Sequence, residues 1–250
     1  MSALKKYVRG MMVYAPALQE ARFRTELVAR KALKRVHDRD WLAFEHLKIG
    51  SGVILDIGAN RGQSIASFNI VKPNCSIDAF EPNPSLSARL SAYYAGDANV
   101  RIHSFALSDV HGEFDLYVPK YREWVFDGLA SLNPEEASGW LNEKRVAGFD
   151  PKLQTLTTYK VKVLPLDTLG LKPSVMKLDT QGTEYAVLRG AVNTIAENHP
   201  IILVEAPPVE ITNLLAPMGY RPYSYIDGKF LADRVDAKNV FYLREEHFPS

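Results

Sequence analysis

Four short strand-like runs along the chain each end at a carboxylate. Val53-Ile54-Leu55 leads into Asp56, residues 76–80 into Glu81, 175–178 into Asp179 and 201–204 into Glu205. Apolar runs of this length suit strands buried on both faces of a parallel sheet. Helical patterns separate them. A helix is expected over 63–71, stopped before Pro73, and another from Pro84, with Asn83 as its N-cap. Further strands are expected at about 100–106, 113–118 and 159–164, where apolar and polar residues alternate. A helix from 183 to 190 and one from 209 to 218, closed by Gly219, complete the alternation. Strands that alternate with helices imply an α/β fold around a parallel sheet. The last two strands, 221–225 and 239–243, have no helix between them and so can pair antiparallel.

Two stretches break the pattern. Residues 1–50 read as a helical N-terminal extension, in which Leu27, Val28, Trp41, Phe44 and Leu47 recur at helical spacing. Ile49-Gly50-Ser51-Gly52 marks the boundary with a main domain over 51–250. Within that domain, residues 120–158 interleave Trp124, Phe126, Trp140 and Phe149 with turn residues. An irregular insertion of this size in an α/β domain is expected to be a binding loop or lid.

The turn after the first run, Asp56-Ile57-Gly58-Ala59-Asn60-Arg61-Gly62, places a ligand site at the carboxyl end of a strand, where open α/β sheets bind theirs. Gly58 and Gly62 allow backbone angles and approaches that a Cβ would block. The spacing D-x-G-x-N-x-G differs from the G-x-G-x-x-G of dinucleotide dehydrogenases. Glu81, nineteen residues beyond Gly62, ends the next strand. A carboxylate there can accept both hydroxyls of a ribose, because it offers two acceptor oxygens and no donor. Such an acid serves NAD and other nucleosides alike, so the first loop carries the distinction.

Composition narrows the setting. The chain has 250 residues, a net charge of +1 and one cysteine, Cys75. An intrachain disulfide and a thiolate zinc cluster are thereby excluded, which fits a reducing compartment. Near-neutral charge gives no sign of a nucleic-acid binder. Residues 1–48, however, hold eleven Lys/Arg against five Asp/Glu, an excess of +6 that leaves −5 for the rest. That basic side suits a membrane surface or an acidic glycan, although a solvated helix face is the simpler reading. The short run after Lys5, Lys6 and Arg9, broken by Pro16, is a weak match to a signal peptide, and no run approaches the length of a membrane span. A cytoplasmic protein is expected, with at most a peripheral contact at the inner membrane face.

Six blocks, in order, resemble the FkbM family of S-adenosylmethionine (SAM)-dependent O-methyltransferases. They are Asp56 to Gly62, Glu81-Pro82, Ala106 to Asp109, Leu166 to Leu169, Lys177 to Glu184 and Pro200 to Glu205. The resemblance implies a Rossmann-like class I methyltransferase fold: a mostly parallel seven-stranded sheet, helices on both faces and an antiparallel C-terminal strand. It implies SAM as cofactor. Gly58, Ala59, Asn60 and Gly62, with Ser64 behind them, would shape the methionine part of its pocket. Asp56 would orient the loop or receive the amino group, Glu81 would hold the ribose, and Ala106, Leu107 and Ser108 would flank the adenine. It further implies a hydroxyl acceptor on a sugar, glycan or small-molecule natural product. Transfer to an alcohol benefits from a base. Asp179 is the first candidate and Glu205 the second, each with a loop-holding role as the alternative. Many family members carry an acid where this chain has Gln181, so any part of that acid in binding a metal or removing a proton is in doubt here. Asp179 and Glu184 could offer oxygen ligands to a divalent cation, but no His-rich cluster stands beside them and no metal is expected. A non-catalytic SAM-fold module and, less in keeping with the first loop, a nicotinamide oxidoreductase are the competing functions.

Overall fold

The computed structural model describes residues 32–249, together with 6, 7, 10, 13–15, 25 and 28–30. In chain order the strands are β1 (Val53–Ile57), β2 (Ile77–Phe80), β3 (Val100–His103), β4 (Ala106–Leu107), β5 (Gly112–Tyr121), β6 (Trp124–Val125), β7 (Gln154–Leu164), β8 (Pro173–Leu178), β9 (Ile201–Glu205), β10 (Arg221–Ile226), β11 (Lys229–Ala232) and β12 (Asn239–Leu243). The helices are α1 (Gln63–Val71), α2 (Pro84–Tyr93), α3 (Pro134–Gly139), α4 (Glu184–Arg189), α5 (Val192–Asn198) and α6 (Val209–Leu215).

The main sheet has the order β3-β2-β1-β8-β9-β12-β10-β11. Pairs from β3 through to β9 are parallel, and β12 lies antiparallel between β9 and β10. The expected seven strands are all present, and β11 adds an eighth at the edge. It arises because Asp227 and Gly228 both have positive φ (48° and 81°), the conformation that closes a two-residue hairpin.

Alternate residues of each strand feed two cores. Ile54, Ile77, Val175, Leu203 and Phe241 face α1, α2 and the 3-10 turn at Arg39–His46. Leu55, Met176, Ile202, Val204 and Tyr242 face α4, α5 and α6. Trp41, Phe44 and Leu47 dock on the first of these cores, with Phe44 packed on Phe68 and Phe241 at ring separations of 5.3 and 5.5 Å. Val28, expected on the same docking face, is instead 58% exposed. Leu27, Pro16 and most of the basic segment lie outside the described residues. Among the described residues no helix is long and apolar enough to cross a membrane.

Residues 120–158 are more regular than their composition implies. Both ends belong to a long ribbon in which β5 pairs antiparallel with β7 from Gly112↔Val163 to Tyr121↔Gln154. Residues 154–158 show no apolar alternation because both their faces are largely solvated, so the pairing leaves no signature. With β4 and β6 the ribbon forms a second sheet. Only 126–153 lacks long strands, and it closes over its own core of Tyr121, Trp124, Phe126, Leu141 and Val146. The expected third strand also splits. β3 ends at His103, and β4 joins the second sheet, leaving Phe105 at the break.

Candidate active site

The acids at the strand ends converge, but with different tasks. Asp56 is fully buried. It accepts the Ser64 hydroxyl at 2.5 Å and lies 3.0 Å from Lys177 Nζ, which also donates to the Gly58 carbonyl at 2.8 Å. Burial of Lys177 opposes its charge, but Asp56, Asp179 and Glu205 together more than offset this and hold its proton on. Asp56 and Ser64 thus form a buried link under the loop. Gly58 (φ +79°) is required for packing: a Cβ there would lie 1.9 Å from the Asp179 carbonyl oxygen. At Gly62 (φ +80°) a Cβ would lie 2.9 Å from Leu90 Cδ2. Both glycines serve the fit of the loop onto its neighbours, and Gly58, Ala59 and Asn60 line the cleft.

The cleft has two lobes that share Gly58, Asn60 and Asp179. The first opens to solvent and encloses about 670 Å³ when its mouth is included. Phe80, Phe105, Ala106, Leu107 and Leu116 give it apolar walls, and Glu81 stands at one end. Glu81 Oε2 accepts the Asn60 N–H at 2.7 Å and Oε1 the Asn83 N–H at 2.8 Å. Burial pushes its pKa up to about 7, against the pull of those two amides. Each oxygen keeps a further lone pair for a hydroxyl donor. Thr180 Oγ1, on the same wall, is buried with no hydrogen-bond partner among the described residues. An apolar slot for a flat base, a carboxylate for a diol and an unsatisfied hydroxyl suit a nucleoside. Ser108 does not join this wall. Its hydroxyl donates to Asp109 at 3.2 Å, and its carbonyl packs on Gly190, where a Cβ would lie 2.0 Å away.

The second lobe is polar. Ala59, Gln63, Asp179, Glu205, His37 and Lys238 line it. Asp179 and Glu205 lie side by side, close enough for each carboxyl to shift the titration of the other. Burial and the neighbouring Asp179 carboxylate push Glu205 up to about 7, with Lys238 opposing them. For Asp179, burial is outweighed by Lys177 and by hydrogen bonds from Glu205 and Gln181, and its pKa falls. Gln181 Nε2 donates to Asp179 Oδ1 at 2.8 Å, so the amide that replaces an acid stabilises the ionised carboxylate. Glu184 is not available to a cation. It accepts the Thr180 N–H at 2.7 Å and the Gly182 N–H at 3.1 Å. Among the described residues no group of three or more His, Cys, Asp or Glu side chains is arranged to hold a metal ion. Asn60, Gln181 and Ala206, which follow β1, β8 and β9, all have positive φ (48°, 55° and 45°), a strain that collects at the cleft.

Several contributors were not evident in the sequence. Asp127, Gly128, Ala130, Ser131 and Leu132 of the insertion wall the first lobe. Arg61 pairs with Asp127 at 2.5 Å, with 8% and 12% of the side chains exposed, which fixes the first loop to the insertion. These residues are over 60 positions apart, and only the β5–β7 ribbon brings them together. Phe105 offered one signal, an aromatic residue directly before the Ala106 block.

A family model described as the methyltransferase FkbM domain matches residues 56–222. The chain is 27% identical over 154 residues to the 2-O-methyltransferase NoeI of Sinorhizobium fredii, a match that covers 58% of this chain and 59% of that protein. The chain thus spans about three-fifths of the length of that relative. A crystal structure of a methyltransferase FkbM from Methylobacillus flagellatus shares its fold with a TM-score of 0.51 at 15% identity, over 83% of this chain and 46% of the other.

Proposed function

The chain belongs to the FkbM methyltransferase family, and from that premise we propose that it transfers a methyl group from SAM to a hydroxyl of a sugar, glycan or small-molecule acceptor. The continuity of the two lobes through Asp179 carries this reading, because it sets a nucleoside-shaped slot next to a carboxyl pair. That NoeI is a 2-O-methyltransferase supports oxygen as the atom methylated.

SAM, when bound, supplies an electrophilic methyl on a sulfonium centre. The chain's own groups do the remaining work. Glu81 and the Phe80–Phe105 walls orient the nucleoside, and positioning of this kind supplies much of the rate of a displacement. Asp56, Ser64 and Lys177 keep Ala59 and Asn60 in place. The acceptor's hydroxyl proton passes to Glu205, whose pKa near 7 suits a base at neutral pH better than the lowered Asp179. This reverses the order of candidates suggested by the sequence. Asp179, at the junction of the lobes, holds the acceptor oxygen and Glu205 in register.

Methyl-labelled SAM incubated with a fractionated lysate of the source cell tests the proposal. Label is expected in a hydroxyl-bearing product, with Glu205→Gln slowing its appearance about 100-fold or more. SAM binding without label in any fraction would leave a non-catalytic module.

A further inference from the structure

His37 and Asp38 precede the 3-10 turn, Lys238 precedes β12 and Asn239 opens it, so all four lie outside the family-matched residues 56–222. They nevertheless form one side of the second lobe. Lys238 Nζ lies 3.1 Å from Asp38 Oδ2 and 3.4 Å from Glu205 Oε1. Asn239 Nδ2 donates to Asp40 Oδ2 at 3.0 Å, and the Ala206 N–H donates to the Lys238 carbonyl at 2.8 Å. The end of β9, the start of β12 and the segment before the turn are thus tied at one point.

We propose that Lys238 is a positioning residue for methyl transfer: it holds Glu205 in place beside Asp179 and ties that carboxyl to Asp38, making residues 37–41 the wall that an acceptor meets. The inference rests on the reading of the second lobe as the acceptor site.

The charges around Glu205 explain why one lysine matters. Asp179 and Lys177 face it from β8, Lys238 from the approach to β12, and Asp38 stands behind Lys238 with His37 on the same wall. Asp179 favours a proton on Glu205, whereas Lys238 favours its removal. Without Lys238 the carboxyl keeps its proton to higher pH and less of it is ready to act as a base at neutrality. The side chain of Lys238 is 56% exposed, so solvent screens the effect.

The test uses the full chain with ¹³C-labelled glutamate carboxyls, Glu205→Gln for assignment, and Lys238→Met, Lys238→Gln and Lys238→Arg. The NMR titration midpoint of Glu205 is expected to rise by about half a pH unit or more in Met and Gln. Arg, which keeps the charge, is expected to restore most of the difference. A merely structural lysine would not move that midpoint in folded variants. An unchanged midpoint in both neutral variants, or an equal rise in Arg, overturns the proposal. Two neutral variants guard against the loss of one to misfolding. Calorimetry of S-adenosylhomocysteine with the wild type separates the two levels of inference. Absence of binding there counts against the methyltransferase reading and with it the catalytic role of Lys238, whereas binding with an unmoved midpoint counts against Lys238 alone.

Discussion

With almost no solvent around it and only two backbone amides as partners, Glu81 binds its proton far more tightly than a free glutamate. Its pKa rises from an ordinary 4.5 to about 7 on folding. Between those values the native state holds more protons than the unfolded one, so folding stability is greatest at the acid end of the window and falls as pH rises toward 7. Glu81→Gln removes that dependence. Melting scans from pH 5 to 8 are expected to show a flatter profile, with the variant more stable than the wild type at pH 8 by on the order of 2 kcal/mol, and with weaker nucleoside binding. A profile parallel to that of the wild type would mean that Glu81 is not the source. This trade of stability for binding is common at ligand sites. Glu81, Asp179 and Glu205 were legible because each ends a run that reads as a strand, and strand ends are where such sheets place their chemistry. Ser108 belongs to the same block as Ala106 and Leu107, yet it is buried away from the first lobe with its carbonyl against Gly190, more than 80 residues away, and no local pattern records that.

At the scale of elements, the first loop and the insertion act as one unit through Arg61 and Asp127. Burial raises the pKa of Asp127, while the paired Arg61 and a backbone amide counter it. Removal of one partner of a buried pair costs about 3 kcal/mol, because a charge is left in low dielectric. Asp127→Ala is therefore expected to loosen residues 126–153, seen as faster proteolysis there, and to weaken SAM binding by about tenfold or more. Unchanged cleavage and affinity would show that the pair is incidental. Asp127, Gly128, Ala130, Ser131 and Leu132 of the insertion wall the first lobe, and His37, Asp38 and Trp41 from the segment before the main domain line the second. Order in the β5–β7 ribbon was hidden because most of residues 154–158 are exposed on both faces, and apolar periodicity reports only half-buried strands.

Taken whole, the molecule sets a mostly parallel sheet with two reversed strands, β11 and β12, against a second, smaller sheet, and the cleft opens where their loops meet. The alternation of strands and helices made the main sheet legible, including the antiparallel pairing near the C-terminus. The second sheet, and the docking of Asp38 onto Lys238 across 200 positions, depend on tertiary placement. The account stands on the first lobe as a SAM site with Glu81 as its ribose ligand. Isothermal titration of S-adenosylhomocysteine into the wild type and Glu81→Ala tests this most directly. Binding at one site per chain with a dissociation constant on the order of micromolar is expected, weakened about 30-fold or more in the variant through the loss of two charge-assisted hydrogen bonds. No heat of binding to the wild type, or equal affinity for the two proteins, would contradict it.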